Sequence, residues 1–404
     1  MAGKLVGNAL IGQSGGPSAV INQSLVGAIE QAGKHRQITR LLGARHGTLG
    51  MMAEDFVNLS KVGARRLETI AGTPGAALGS CRHKPDEDDC AKILDVLRAR
   101  DVRYYFYIGG DDSAKSTDII AGMARAARYR MRLVHIPKTI DNDLVGSDHT
   151  PGFGSAARFV ANAVRGDDLD NRSIPGVKVD IIMGRDAGWL TAATVLARRK
   201  PGDGPHLIYL PEVPFSINRF LKDVRRTFKQ HGRALICVSE GVRDGRGRLW
   251  AERIAAESEA DVKGDAFGHF QLSGTGALAD YLTMCVKEGL KDLRVSRVRG
   301  DTFGYLQRSF PGFASTVDQK EAREVARAAV KWACQGRSGS VAIKRKAGKP
   351  YKAYPALIAL KRVVGQNRVV PKKYICPSGN DICPSFRDYC LPLVGGLPKT
   401  GGLD

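Results

Sequence analysis

Two apolar runs in this chain end in polar motifs that leave few choices of fold. Tyr104–Ile108 runs directly into Gly109-Gly110-Asp111-Asp112-Ser113, and Leu133–Ile136 into Pro137-Lys138-Thr139-Ile140-Asp141-Asn142-Asp143. Short, continuous apolar runs of this kind suit buried strands. Each motif then falls just beyond the carboxyl end of its strand, and in open α/β sheets that edge is where ligands bind. Together the motifs gather four carboxylates, a lysine and a glycine pair at one edge. Glycines there let a polyanion approach backbone N–H groups, acidic residues hold a divalent metal, and one carboxylate takes a hydroxyl proton. That set of parts serves phosphoryl transfer.

Strand-like and helix-like stretches alternate through the rest of the chain, which argues for parallel sheets with crossover helices. A first strand reads Ala9–Gly12 and breaks at Gln13-Ser14-Gly15-Gly16-Pro17. Pro17 suits the first turn of a helix that carries Val20, Ile21, Leu25, Val26 and Ile29 on one face. Further strands read Val179–Met183, Leu207–Leu210, Ala234–Val238 and Val295–Val298, and Val317–Cys334 reads as a long amphipathic helix. A length of 404 residues suggests two or three domains. The turn-rich stretch from Asp141 to Gly154 reads as a crossing between two α/β units, with a second crossing near Tyr305–Gly312.

Hydrophobic content of 43% and charged content of 25% are ordinary for a soluble globular protein. No apolar run approaches the ~20 residues that span a bilayer. The start, Met-Ala-Gly-Lys-Leu-Val-Gly, lacks the apolar core of a signal peptide. A cytoplasmic protein without a membrane partner is therefore expected. The formal charge of +21 first suggests nucleic acid. Basic residues are spread along the whole chain, however, and the densest stretch, Lys344 to Lys352, carries no RNA-binding aromatic signature. A basic surface that attracts small phosphorylated metabolites fits this pattern, and nucleic acid is not expected as a partner. The eight cysteines form no C-x-x-C, and Cys376, Cys383 and Cys390, spaced by seven, have no histidine after them, so the cysteines read as reduced structural thiols.

Two stretches imitate dinucleotide fingerprints, Gly152-Phe153-Gly154-Ser155-Ala156-Ala157 and Gly274-Thr275-Gly276-Ala277-Leu278-Ala279. Neither directly follows a strand, so both read as helix starts. Other strand ends carry chemistry that fits the first two. Gly15-Gly16 lies on a strand-to-helix turn, where N–H groups favour a phosphate. Met183-Gly184-Arg185, Ser239-Glu240-Gly241 and Tyr305-Leu306-Gln307-Arg308 follow later runs, and Arg82 and Arg299 add guanidinium groups that recognise phosphate bidentately. If the backbone is extended, Asp141 and Asp143 point to one side with Asn142 opposite, one serving as base and the other as an outer partner of the metal.

Taken in order, Gly-Gly-Asp-Asp-Ser, Pro-Lys-Thr-Ile-Asp-Asn-Asp, Met-Gly-Arg, Ser-Glu-Gly and Arg-x5-Tyr-Leu-Gln-Arg resemble the phosphofructokinase A family, from about Gly12 to Arg308. The resemblance implies that Gly15 and Gly16 form the phosphate-donor loop. It makes Asp111 the Mg²⁺ ligand, with Asp143 further out, Asp141 the catalytic base and Thr139 a sugar contact. Met183, Gly184, Arg185, Glu240, Arg299, Tyr305 and Arg308 match the fructose 6-phosphate site, Arg299 reaching in from a neighbouring subunit. Arg82 matches an arginine on the transferring phosphoryl group, with Arg185 also assisting.

Family members that use ATP typically carry glycine where this chain has Asp112 and Lys138. Members similar to this chain at both positions use inorganic pyrophosphate. A carboxylate at 112 repels the α-phosphate of a nucleotide, and an ammonium at 138 neutralises the transferring or leaving phosphate. The chain departs from the family at Gly176, where relatives often carry an arginine for the sugar 6-phosphate; Arg172 and Lys178 lie nearby. Tyr305 replaces a histidine, as is common among pyrophosphate users.

The expected molecule is an α/β enzyme with two Rossmann-like domains, parallel-rich sheets and the active site in the cleft between them. Residues 1–150 with about 309–360 would bind the phosphate donor, and residues 151–308 with about 361–404 the sugar phosphate. The implied reaction is Mg²⁺-dependent transfer from pyrophosphate to the 1-hydroxyl of fructose 6-phosphate, near-reversible, in glycolysis and gluconeogenesis, by a homodimer or homotetramer. The alternatives are an ATP-dependent kinase of the same fold, and a basic nucleic-acid-binding protein on an inactive kinase scaffold. Intact Asp111, Asp141 and Arg185 argue against the latter.

Overall fold

Alternating burial of consecutive strand residues organises the first sheet. In β4 (Val102–Gly109), Tyr104, Phe106 and Ile108 enter one apolar core while Tyr105 and Tyr107 enter another, as the two-residue repeat of a strand requires when both faces are covered. The computed structural model describes residues 5–257 and 276–401, and these divide into two units. The first comprises Met1–Ser155 with Arg308–Asn367, the second Ala156–Gln307 with Arg368–Asp404.

In chain order the other strands are β1 (Gly7–Gln13), β2 (Ile38–Ala44), β3 (Phe56–Asn58) and β5 (Arg132–Pro137), then β6 (Val177–Ile182), β7 (Leu207–Tyr209), β8 (Ala234–Ser239) and β9 (Val298–Thr302). They end with β10 (Gly339–Arg345) and β11 (Ala353–Ile358). The first unit holds a seven-stranded sheet ordered β11-β10-β5-β4-β1-β2-β3, parallel except for the pairs at its two ends, β10–β11 and β2–β3. Gln13 pairs with Ile108 and Gly109 with Pro137, so the segments that follow β1, β4 and β5 emerge side by side.

One face of this sheet is covered by the helices Ile21–Ala32, Ala64–Gly72 and Thr316–Cys334, the other by Glu87–Ala99 and Asp111–Ala126. Each fully buried Leu, Ile or Phe in these layers contributes about 1.5–3 kcal/mol. The helices Ile21–Ala32 and Thr316–Cys334 meet at Gly27, where a side chain would lie 2.4 Å from the Arg323 carbonyl oxygen. Arg323 pairs with Glu30 and Glu68 beside that contact.

The second unit holds a four-stranded parallel sheet ordered β7-β8-β6-β9. The C-terminal segment seals its edge: Ile208 N donates to Asn380 O at 2.9 Å, and Tyr374, Phe386 and Tyr389 pack around Trp189. Cys376 and Cys383 flank the Ile375–Ile382 bridge with their sulfurs 2.8 Å apart, and Cys390 is buried on the helix Pro384–Val394.

Several local expectations need correction. Pro17 precedes the helix Ile21–Ala32 by a loop and is not in its first turn. β9 starts at Val298, where the expected strand Val295–Val298 ends, because Leu293 and Val295 pack on the core from the loop before it. β2, β3, β10 and β11 have no counterpart among the expected strands. At Gly152, the fingerprint-like helix start holds an anion of its own: Asp318 accepts from Gly152 N at 3.0 Å and Ser155 N at 2.8 Å. Of the second fingerprint, Gly274 and Thr275 lie outside the described residues, and Gly276 precedes the helix Ala277–Gly289. No described helix is long and apolar enough to cross a membrane.

Candidate active site

The turn after β1 is built around two glycines packed close to cationic side chains. Gly15 has φ +72°, and a Cβ on Gly16 would lie 2.6 Å from Arg308 Nη1. Lys138 Nζ donates to Gly16 O at 2.7 Å. Ser80 Oγ donates to Gly15 O at 2.6 Å, and Gly15 N donates to Cys81 O at 3.2 Å, so the segment bearing Arg82 is tied to the glycine loop. After β4, a Cβ on Gly109 would lie 1.9 Å from Ser113 Oγ, which makes glycine obligatory for this strand-to-helix turn. Gly109 O accepts from Lys138 N at 2.8 Å and lies 2.9 Å from His135 Nε2. Nε2 therefore carries the proton and Nδ1 accepts from Ser340 Oγ at 2.8 Å. Burial pulls His135 down to about 4, keeping it neutral.

Asp111 and Asp112 open the helix Asp111–Ala126, where carboxylates suit the positive helix end. Asp111 Oδ1 accepts from Gly365 N at 3.0 Å, while burial, with the Asp112 charge adding, raises its pKa. Asp112 is exposed and its Oδ2 lies 3.2 Å from Lys84 Nζ. Lys138 is buried; loss of water lowers its pKa to about 8, opposed by Asp141 and Asp143 and assisted by Arg82 and Arg308. Asp143 is raised well above the carboxylate range, first by burial and then by the charges of Asp141 and Asp111.

The extended backbone that would put Asp141 and Asp143 on one side, with Asn142 opposite, is not what forms. Asn142 adopts φ +56°, in the left-handed region that asparagine tolerates, and its Oδ1 accepts from Thr150 N at 3.1 Å. The segment is a turn, stiffened by Asp141 N donating to Thr139 Oγ1 at 3.1 Å and Thr150 Oγ1 to Thr139 O at 2.8 Å. The two carboxylates are thus set by a turn and not by pleating.

The acidic residues of this unit fit a divalent cation. Asp143 Oδ1 is buried with no hydrogen-bond partner, and the charges of Asp141 and Asp111 act on Asp143. A buried carboxylate oxygen beside further carboxylates suits a hard cation with oxygen ligands. A second acidic group, Asp167, Asp180 and Asp301, lies in the second unit with ligand atoms within 4.8 Å of one another. There Lys178 Nζ already bonds Asp167 at 2.6 Å and Asp301 at 2.8 Å.

In the second unit, the segments after β6 and β8 interlock. Gly184 N donates to Glu240 Oε1 at 3.2 Å, Ser239 Oγ donates to Gly184 O at 2.6 Å, and Met183 N donates to Gln307 Oε1 at 3.2 Å. Gly184 has φ +145°, and a Cβ on Gly241 would lie 1.9 Å from Arg185 O. Gly241→Ala is therefore expected to destabilise the protein by about 1–3 kcal/mol, the usual penalty of overpacking, measured by chemical denaturation. A neutral outcome would mean that the Arg185 segment gives way freely. Arg299 and Tyr305 are exposed. Gly176 has no room for more: its Cβ would lie 2.4 Å from Arg297 O, which accounts for the missing arginine there. Arg172 pairs with Asp168 and Lys178 with Asp167, so neither nearby cation replaces it without leaving a partner.

The first unit thus collects Gly15, Gly16, Arg82, Asp111, Asp112, Lys138, Thr139, Asp141, Asp143 and Arg308, and the second Met183, Gly184, Arg185, Glu240, Arg299 and Tyr305. Lys84, His135 and Gly365 are neighbours of these residues that sequence reasoning misses. Lys84 is within its reach, two positions beyond Arg82; the other two act through contacts that no local motif signals.

These features agree with what the chain is similar to. Residues 8–291 match the family model described as "Phosphofructokinase". The chain belongs to the phosphofructokinase family. A pyrophosphate–fructose 6-phosphate 1-phosphotransferase from Rhodospirillum rubrum is 48% identical over 396 residues, covering 98% of this chain and 96% of that protein. One of the same name from Xanthomonas campestris is 38% identical over 98% of this chain and 94% of its own. A crystal structure of a pyrophosphate-dependent phosphofructokinase from Marinobacter aquaeolei superposes with a TM-score of 0.83 at 32% identity, covering 99% of this chain and 94% of that one.

Proposed function

We propose that this protein transfers a phosphoryl group from inorganic pyrophosphate to the 1-hydroxyl of fructose 6-phosphate, giving fructose 1,6-bisphosphate and phosphate. The observation that carries the reading is Lys138, a buried ammonium bonded to the glycine loop at Gly16, in a chain that also has Asp112 beside Asp111. Relatives named for pyrophosphate support it over 98% of the chain.

Each residue has a role that its chemistry allows. The glycines of the Gly15–Gly16 turn let donor oxygens approach the backbone closely. Asp141 takes the proton of the sugar 1-hydroxyl as it attacks, and Thr139 fixes that turn. Lys138, Arg82 and Arg185 meet the charge on the phosphoryl in flight. Met183, Gly184, Glu240, Arg299, Tyr305 and Arg308 bind the sugar phosphate, with Arg299 serving a neighbouring copy in a homodimer or homotetramer. Asp111, with Asp143 behind it, would hold Mg²⁺, which supplies charge neutralisation to the donor oxygens. Donor and product are both phosphates of comparable transfer potential, so the reaction runs in either direction, in the cytoplasm.

The test is direct. Purified protein receives fructose 6-phosphate and Mg²⁺ with either pyrophosphate or ATP, and bisphosphate formation is followed. Turnover is expected with pyrophosphate; equal or better rates with ATP would transfer the assignment to the nucleotide-dependent branch of the family.

A further inference from the structure

Asp112 presents a difficulty for any phosphate donor. Together with Asp111 it places two negative charges at the start of one helix, and these repel pyrophosphate as well as a nucleotide. The carboxylate does not stand alone, however. Its Oδ2 lies 3.2 Å from Lys84 Nζ, with 60% of the Asp112 side chain and 45% of the Lys84 side chain exposed. An ion pair this open adds little to stability, so it does not explain itself as a structural staple. Its position suggests another use. Lys84 stands two residues after Arg82 on the segment that Ser80 and Cys81 tie to Gly15, and its charge also acts on Asp111.

We propose that Lys84, positioned by Asp112, is a donor-specificity residue whose ammonium binds the non-transferring phosphate of pyrophosphate. The inference rests on the pyrophosphate reading above and extends it to a residue outside the motifs that carry the family resemblance. Asp112 then acts in two ways. It holds a long, flexible lysine near the donor, reducing the entropy lost when that lysine binds. With Lys84 in place it also puts a charged pair where a nucleotide needs room for its α-phosphate. A terminal phosphate, bearing more charge and free of an ester, is the better partner for the ammonium.

Steady-state kinetics of Lys84→Ala, Lys84→Arg, Asp112→Asn and the Lys84→Ala/Asp112→Asn double variant test the idea, with melting temperature followed alongside. For Lys84→Ala, KM for pyrophosphate is expected to rise about 10- to 100-fold, the span of one charge-assisted hydrogen bond. KM for fructose 6-phosphate and the melting temperature should hold. Lys84→Arg should recover most of the loss, and Asp112→Asn should show a smaller rise. The double variant should be no worse than Lys84→Ala, because the pair acts as one unit. A pyrophosphate KM within about twofold of wild type in Lys84→Ala, or multiplied penalties in the double variant, overturns the proposal. Failure of the underlying donor reading looks different: the wild-type protein itself would turn over ATP in preference.

Discussion

Replacing Asp141 with asparagine is expected to lower kcat by about 10²–10⁴-fold, the span of a lost general base, with little change in KM for fructose 6-phosphate. The amide matches the carboxylate in shape but cannot accept the hydroxyl proton. The turn should survive, since the bonds of Asp141 N, Asn142 Oδ1 and Thr150 Oγ1 remain in the variant. Single-turnover rates with saturating pyrophosphate are the measurement of choice. A variant that keeps near wild-type kcat removes Asp141 from the role of base and directs attention to Asp143.

Lys138→Met should cost about 10²–10³-fold in kcat, comparable to removing one donor aimed at a developing anion. The methionine fills a similar volume, so the loss reports charge. The pH dependence gives a second view. Lys138 is cationic below its folded pKa of about 8, so the assistance it gives is present at neutral pH and is lost as pH rises through about 8. Wild-type kcat should therefore fall on the alkaline side near that value. In Lys138→Arg, where the guanidinium stays protonated, the fall should move to higher pH even if the maximum rate is reduced. An unchanged alkaline limb in that variant would mean that another group titrates there.

The parts of the fold that are legible in the sequence are those buried on both faces. Tyr104–Ile108 and Ala234–Val238 are continuous apolar runs, Leu133–Ile136 is broken only by His135, and each lies within an observed strand. The strands without a sequence signal lie toward the sheet margins and carry polar residues: Thr39 and Arg40 in β2, Lys344 and Arg345 in β10, and the part-exposed β11. β9 reads Val-Arg-Gly-Asp-Thr, a sequence with little apolar character, and it is a strand because β6 pairs with it. Within the site, motifs at strand ends are readable because chemistry and chain position coincide there. The contacts of Gly365 with Asp111 and of His135 with Ser340 join residues more than 200 positions apart, and no local pattern encodes them. The turn at Asn142 escapes sequence reasoning for a related cause: Asn-Asp sequences suit extended and left-handed backbone alike, and Thr150 decides between them.

The seven-stranded sheet has a consequence during synthesis. β5 finds its outer neighbour in β10, with His135 and Ser340 bonded across a separation of 205 residues. At ~5–20 residues per second, the ribosome leaves that strand edge without its partner for roughly 10–40 s. All of β6 to β9 emerges during this wait, so the second sheet has its strands before the first is complete. An open parallel edge is a template for pairing with other chains. The nascent protein is thus most exposed to misassembly after Pro137 has left the exit tunnel and before Gly339 has, an interval in which chaperones that cover strand edges would act on this chain.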